Sequence, residues 1–177
     1  MSIARTWGTC LEERRLSYPC DRLIPHAEDS LYRGVTIDAS SQTVFRWLCQ
    51  LRVAPIAMTG IDNGGSESPR ALTPGLEHLA VGQDVMEIFQ LAGFARDQHL
   101  TLRIKANSRA QRLFGDIAVY LVVPKGPRIC RLLVKLVIQH SPGVRGKLMR
   151  RLLHWGDLIM MRRQLLNFKQ LAERRID

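Results

Sequence analysis

The sequence predicts an α+β protein in which a curved antiparallel β-sheet wraps around a long C-terminal α-helix. Three observations carry this. From about residue 85 to 139 the chain passes through segments of strand-like alternation or composition, joined by short turn signals. The last of these segments has one wholly apolar face, which something must cover. Residues 146–174 then repeat apolar side chains at helical spacing and supply that cover.

Taken in order, residues 1–15 are polar and charge-rich and predict a flexible N-terminal arm, ahead of a single domain over 16–177. Leu16 to Asp29 carries Pro19 and Pro25 without a clean period, an irregular lead-in. Leu31, Val35 and Ile37 alternate with Tyr32, Gly34 and Thr36, as a strand does, with Arg33 the exception on the first side. Asp38-Ala39-Ser40-Ser41 is a helix entry, because a serine oxygen can accept an orphan backbone N–H. Val44, Phe45, Leu48 and Leu51 continue at helical spacing, and the helix should end before Pro55. Residues 61–74 hold Asp62-Asn63-Gly64-Gly65-Ser66, Pro69 and Pro74, a long loop of the kind that often carries function.

Val85–Leu91 reads as a strand. Leu100, Leu102, Ile104 and Ala106 alternate with Thr101, Arg103 and Lys105, and Ala95-Arg96-Asp97-Gln98 is the hairpin connection between the two. Ile117–Val123 is β-rich, and Pro124-Lys125-Gly126-Pro127 is a turn. In the next strand Cys130, Leu132, Val134, Leu136 and Ile138 form a dry face. Arg131, Leu133, Lys135, Val137 and Gln139 form the other, read as wet because of its two cations. Pro142-Gly143 ends this strand. In the helix, Leu148, Leu152, Trp155 and Ile159 recur at i, i+4, i+7 and i+11, and Leu158, Met161, Leu165, Phe168 and Ala172 extend the stripe. Gly156 costs about 1 kcal/mol relative to alanine and marks a kink or a close approach.

Composition bounds the function. A chain of 177 residues, 46% hydrophobic and 24% charged, fits one globular domain with a real core. No apolar run reaches the length of a bilayer span, and Met1–Thr6 lacks the apolar stretch of a signal peptide, so a soluble, cytoplasmic protein is expected. The four cysteines form no C-x-x-C pair, and Cys49 and Cys130 sit in apolar segments as reduced structural thiols. A net charge of +10 suits an anionic partner, or simply a solvated basic face. Nucleic acid is disfavoured, since no recognised nucleic-acid-binding motif accompanies the charge. No H-E-x-x-H, phosphate-cradling or dinucleotide motif is present, so neither a metal nor a cofactor is expected.

The order of elements, and several local stretches, resemble a known superfamily. Tyr32-Arg33-Gly34-Val35-Thr36-Ile37-Asp38-Ala39-Ser40 is similar to its opening strand and helix entry, and Phe45-Arg46-Trp47-Leu48-Cys49-Gln50-Leu51 to its first helix. Gly82-Gln83, and Met160-Met161-Arg162-Arg163-Gln164-Leu165-Leu166 with Lys169 and Ala172-Glu173, are similar to its later landmarks. This is the START-like (SRPBCC) superfamily of polyketide cyclases, lipid-transport and Bet v 1-like proteins, which share the helix-grip fold. Within it the chain resembles a largely uncharacterised bacterial branch, from about Leu16 to Glu173. One stretch departs: where similar proteins carry Tyr-Ser-Tyr-Asp-Trp, this chain has Ile56-Ala57-Met58-Thr59-Gly60 before Ile61-Asp62-Asn63.

The resemblance implies a cavity between sheet and helix. Its expected lining is Val35, Ile37, Met58, Ile61, Leu102, Ile104, Leu132, Val134, Leu136, Leu152, Trp155 and Ile159. A close-packed core would use the same residues. The expected ligand is an apolar small molecule or lipid, and the reading favours binding over catalysis. Two alternatives stand beside it. One is an aromatase/cyclase-type enzyme, which needs an inward aspartate or histidine to move a proton; no catalytic residue is singled out, since His78, His99, His140 and His154 read as surface or satisfied side chains and the strand faces are cleanly apolar. The other is a peripheral module for an anionic membrane surface, drawn from the cations of the C-terminal helix.

Overall fold

The computed structural model describes residues 2–24, 27, 29–53, 71–85, 88–105, 117–138 and 145–174, of which 145–153 by backbone alone. Three short helices open the chain: α1 (Ile3–Thr6), α2 (Leu11–Arg14) and α3 (Cys20–Leu23). Strand β1 (Asp29–Ile37) leads to α4 (Ser41–Cys49) and a 3₁₀ turn (Gln50–Arg52). Then come β2 (Asp84–Val85), β3 (Phe89–Ala95), β4 (His99–Ile104), β5 (Ile117–Gly126) and β6 (Ile129–Ile138), and finally α5 (Arg145–Glu173). The strands form one antiparallel sheet in the order β1-β6-β5-β4-β3-β2. The connection through α4 therefore carries the chain from one sheet edge to the other.

Local chemistry sets the boundaries. The Ser40 hydroxyl accepts the Thr43 N–H at 3.2 Å and caps α4. Val44, Phe45, Trp47 and Leu48 bury one side of that helix. Buried Gln50 exchanges hydrogen bonds with the Thr73 backbone, fixing the return segment. At the far end of α5, Glu173 accepts the Asp38 N–H at 2.7 Å and Lys169 donates to the Thr36 carbonyl at 3.0 Å. These contacts tie the helix to the end of β1.

Five sequence expectations change. The strand expected over Val85–Leu91 is a hairpin: Val85 pairs with Phe89, and Leu91 bonds back to Gln83 and Gly82. The turn expected at Pro124–Pro127 falls at residues 127–128, and β5 runs on to Gly126 with a register shift at Pro124. A proline that cannot donate to the ladder sits at such an irregularity. Gly156 makes no close approach, since a Cβ there would meet nothing within 4 Å.

The fourth change concerns the sheet face read as wet, which is covered. Tyr18 and Cys20 join Ile117, Val119, Leu133 and Val137 in a second buried cluster. Four apolar strand residues on that face need a cover, and the segment before β1 supplies it. The two cations are matched rather than solvated. Arg131 bonds Glu13 at 2.7 Å, the Gly8 carbonyl and the Thr36 hydroxyl. Lys135 pairs with Asp21 and lies over the Tyr18 and Tyr32 rings. Residues 1–15, expected as a loose arm, carry α1 and α2, and the Gly34 N–H donates to the Trp7 carbonyl at 3.1 Å across the β1 edge. Gly8, at φ +73°, passes so close to Gly34 that a Cβ would stand 2.1 Å from its carbonyl oxygen.

Candidate functional site

The inner face of the sheet is built by alternation. Leu31, Val35 and Ile37 from β1, Cys130, Leu132, Val134 and Leu136 from β6, and Ala118 and Val122 from β5 are all buried there. Leu100 and Leu102 from β4 and Leu91 from β3 complete it. Of the expected lining, Val35, Ile37, Leu102, Leu132, Val134 and Leu136 belong to this core, and Ile104 is buried too. Met58, Ile61, the whole Ile56–Gly60 departure and His140 lie outside the described residues, as does the side chain of Leu152.

Trp155 and Ile159 are not inward: they are 46% and 69% exposed. The face that α5 buries is Leu158, Met161, Leu165, Phe168 and Ala172. At 3.6 residues per turn, Ile159 stands about 140° from the middle of that seam. Trp155 and Ile159, joined to that seam in the sequence reading, are on a different side of the helix.

Two polar pairs sit inside this otherwise apolar interior. Arg33, on the inner side of β1, has no exposed surface and donates to Asp157 of α5 at 2.6 Å. It also donates to the Ala4 carbonyl at 2.8 Å and the Tyr32 carbonyl at 2.9 Å. The Tyr120 hydroxyl, from β5, donates to Gln164 of α5 at 2.9 Å. Arg33, Val134, Tyr120 and Leu100 are cross-strand neighbours in one row. Asp157 and Gln164 are two helical turns apart, with Met161 between them on the same side. Phe168 completes the group, its ring edge-on to Tyr120 at 6.4 Å.

Burial governs the charges here. It pushes the Asp157 carboxyl up to about 6, although the Arg33 guanidinium opposes the rise. It lowers Arg33 against the pull of Asp157, and it raises the Tyr120 phenol far above neutral pH. The Asp157 shift has an expected stability signature. An unfolded aspartate titrates near 3.9, so between about pH 4 and 6 the folded chain holds more protons than the unfolded one. Stability from this group is therefore present below pH 4 and lost as pH rises through 6. Two pKa units correspond to about 3 kcal/mol. The unfolding free energy of the native chain minus that of Asp157→Asn should fall by about that much from pH 4 to pH 7. A flat difference in urea titrations over that range would show that Asp157 titrates normally.

The described histidines are elsewhere. His78 closes a turn on the Gly75 carbonyl. His99 contacts Thr101 at 3.4 Å, and burial lowers its pKa. His154 lies 3.0 Å from Asp29, which also pairs with Arg5. Cys20, Cys49 and Cys130 are buried thiols pushed up to about 12, 12 and 11 by desolvation, and Cys10 is exposed. No group of three or more metal-ligating side chains occurs among the described residues. Among these residues, no helix is long and apolar enough to cross a membrane. An open groove at the end of α5, bordered by Asp38, Arg128, Ile129 and Glu173, is separate from the interior pairs.

No protein-family model matches the chain, and neither does any curated protein sequence. Solved structures do match in fold. Protein MLL2253 from Mesorhizobium loti aligns with a TM-score of 0.54 at 12% identity, covering 84% of this chain and 99% of that one. The Zhui aromatase/cyclase from Streptomyces sp. R1128 aligns with a TM-score of 0.53 at 14% identity, covering 84% and 96%. The chain has the helix-grip fold. The di-domain aromatase/cyclase BexL of the BE-7585A biosynthetic pathway also aligns, with a TM-score of 0.51 at 14% identity, covering 87% of this chain and 53% of that one. The helix-grip architecture accounts for the element order, the edge-to-edge crossover and the position of α5 along β1.

The polar pairs were the part that sequence reasoning missed. Arg33 carried a visible signal, an arginine on the apolar side of an alternating strand. Asp157 and Gln164 carried a weaker one, two polar residues seven apart with apolar Met161 between them on the same side of the helix.

Proposed function

We propose that the chain binds an apolar small molecule or lipid between the sheet and α5. One observation carries this reading. Among the described residues, the strand and α5 side chains that face each other are apolar except for one row in which Arg33–Asp157 and Tyr120–Gln164 meet. Binding sites for small molecules take this form, an apolar surface with a few placed polar groups. The helix-grip neighbours lend support by analogy of fold alone. The Nε of Arg33 is buried without a hydrogen-bond partner among the described residues, so a ligand oxygen would find a donor there.

Native mass spectrometry of the purified chain, before and after denaturation, tests this. A bound apolar mass released on unfolding is expected, as is saturable binding of an environment-sensitive dye that the released material displaces. Repeated empty spectra together with no dye binding to the folded chain would overturn it.

The second reading is a proton-transfer enzyme of the aromatase/cyclase type. A specific observation favours keeping it: Asp157 faces inward with its carboxyl raised towards neutrality, as a general acid or base requires. Binding ranks first because Asp157 is engaged by Arg33 and Tyr120 by Gln164. If the second reading holds, Asp157→Asn keeps dye binding and abolishes turnover of a polyketone substrate.

A further inference from the structure

The outward side of α5 carries a stripe that the interior does not explain. Trp155, Ile159 and Leu166 are 46%, 69% and 39% exposed, at i, i+4 and i+11. Arg162 and Arg163 stand exposed within the same stripe. None of the exposed positions between 155 and 170 is acidic. Among the described residues neither arginine is in an ion pair. Arg162 instead lies 5.8 Å over the half-buried Trp7 ring, which holds it at the margin of the stripe.

We propose that this face of α5 docks the protein on an anionic bilayer. Trp155, Ile159 and Leu166 enter the interfacial region, and Arg162 and Arg163 meet anionic headgroups. A helix that presents an apolar stripe flanked by arginines lies in the plane of the interface, and tryptophan suits the boundary between wet and dry. Charge complementarity selects this occupant. The chain carries a net charge of +10, so a second copy docked stripe to stripe would bring its arginines against like charge. A nucleic acid would pair with the arginines but offers Ile159 and Leu166 nothing apolar to enter. The stripe lies across the helix from Met161 and Phe168, so docking does not depend on what the interior holds.

Sedimentation of the full chain with phosphatidylcholine vesicles, with and without phosphatidylglycerol, tests the proposal. Binding should require phosphatidylglycerol and weaken as salt is raised. R162Q/R163Q should lower the partition coefficient about 30-fold, from about 1 kcal/mol for each arginine near the surface. Ile159→Gln should lower it about tenfold by removing apolar contact. Both variants alter exposed positions, so the thermal midpoint should stay close to that of the native chain. Absence of phosphatidylglycerol-dependent sedimentation overturns the proposal, as does equal binding by both variants. A native dimer that Ile159→Gln converts to monomer would overturn it in favour of self-association.

Discussion

Arg33→Met is expected to cost about 3–5 kcal/mol of folding stability at neutral pH, because it leaves the Asp157 carboxylate inside the protein without its counter-charge. The guanidinium has no exposed surface, and its three acceptors are Asp157, the Ala4 carbonyl and the Tyr32 carbonyl. Methionine fills similar length and is apolar, so lost volume contributes little. What remains is a desolvated carboxyl that must either stay charged or take up a proton well above its ordinary range. Asp157→Asn should cost less, since the amide oxygen still accepts from Arg33 and the carboxyl already resists ionisation below about pH 6. R33M/D157L should recover most of the loss, as apolar replacements of a buried pair often do. Urea unfolding of the native chain, R33M, D157L and R33M/D157L gives the coupling energy. A loss below about 1 kcal/mol in the Arg33 variant would place the pair in contact with water.

The same pair shows what could and could not be seen beforehand. Period two in β1, β4 and β6 and helical spacing in α5 are local patterns, so the sheet face and the helix limits were legible. The rotation of α5 was not. Residues 148, 152, 155 and 159 satisfy helical spacing, and so do 158, 161, 165, 168 and 172, but the two stripes diverge around the helix. Hydrophobicity does not choose between them. The partners across the interface do, with Arg33 holding Asp157 and Tyr120 holding Gln164. The covered outer face was hidden for a similar reason. Arg131 and Lys135 look like solvent-facing cations until Glu13 and Asp21, 118 and 114 residues earlier, are brought to them by folding. No short window contains both members of such a pair.

The setting of α5 makes a second large effect measurable. Phe168→Ala is expected to destabilise the chain by about 3–5 kcal/mol, the usual cost of emptying a buried aromatic site. Phe168 is fully buried and stands edge-on to Tyr120, itself held by Gln164. The cavity left behind would lie against Tyr120, next to the Arg33–Asp157 and Tyr120–Gln164 pairs. Partial collapse is resisted there, because the Tyr120 hydroxyl would have to leave Gln164 to follow the helix. Phe168→Leu should lose less, as it keeps most of the apolar volume. Ile159→Ala is the contrasting case, since an exposed side chain away from such contacts changes stability by no more than about 0.5 kcal/mol. Chemical denaturation of these variants reads the helix rotation directly. If Ile159→Ala were the costly change and Phe168→Ala the mild one, α5 would be turned so that the Trp155 stripe faces the sheet, and both the interior pairs and the membrane-docking face would have to be given up together.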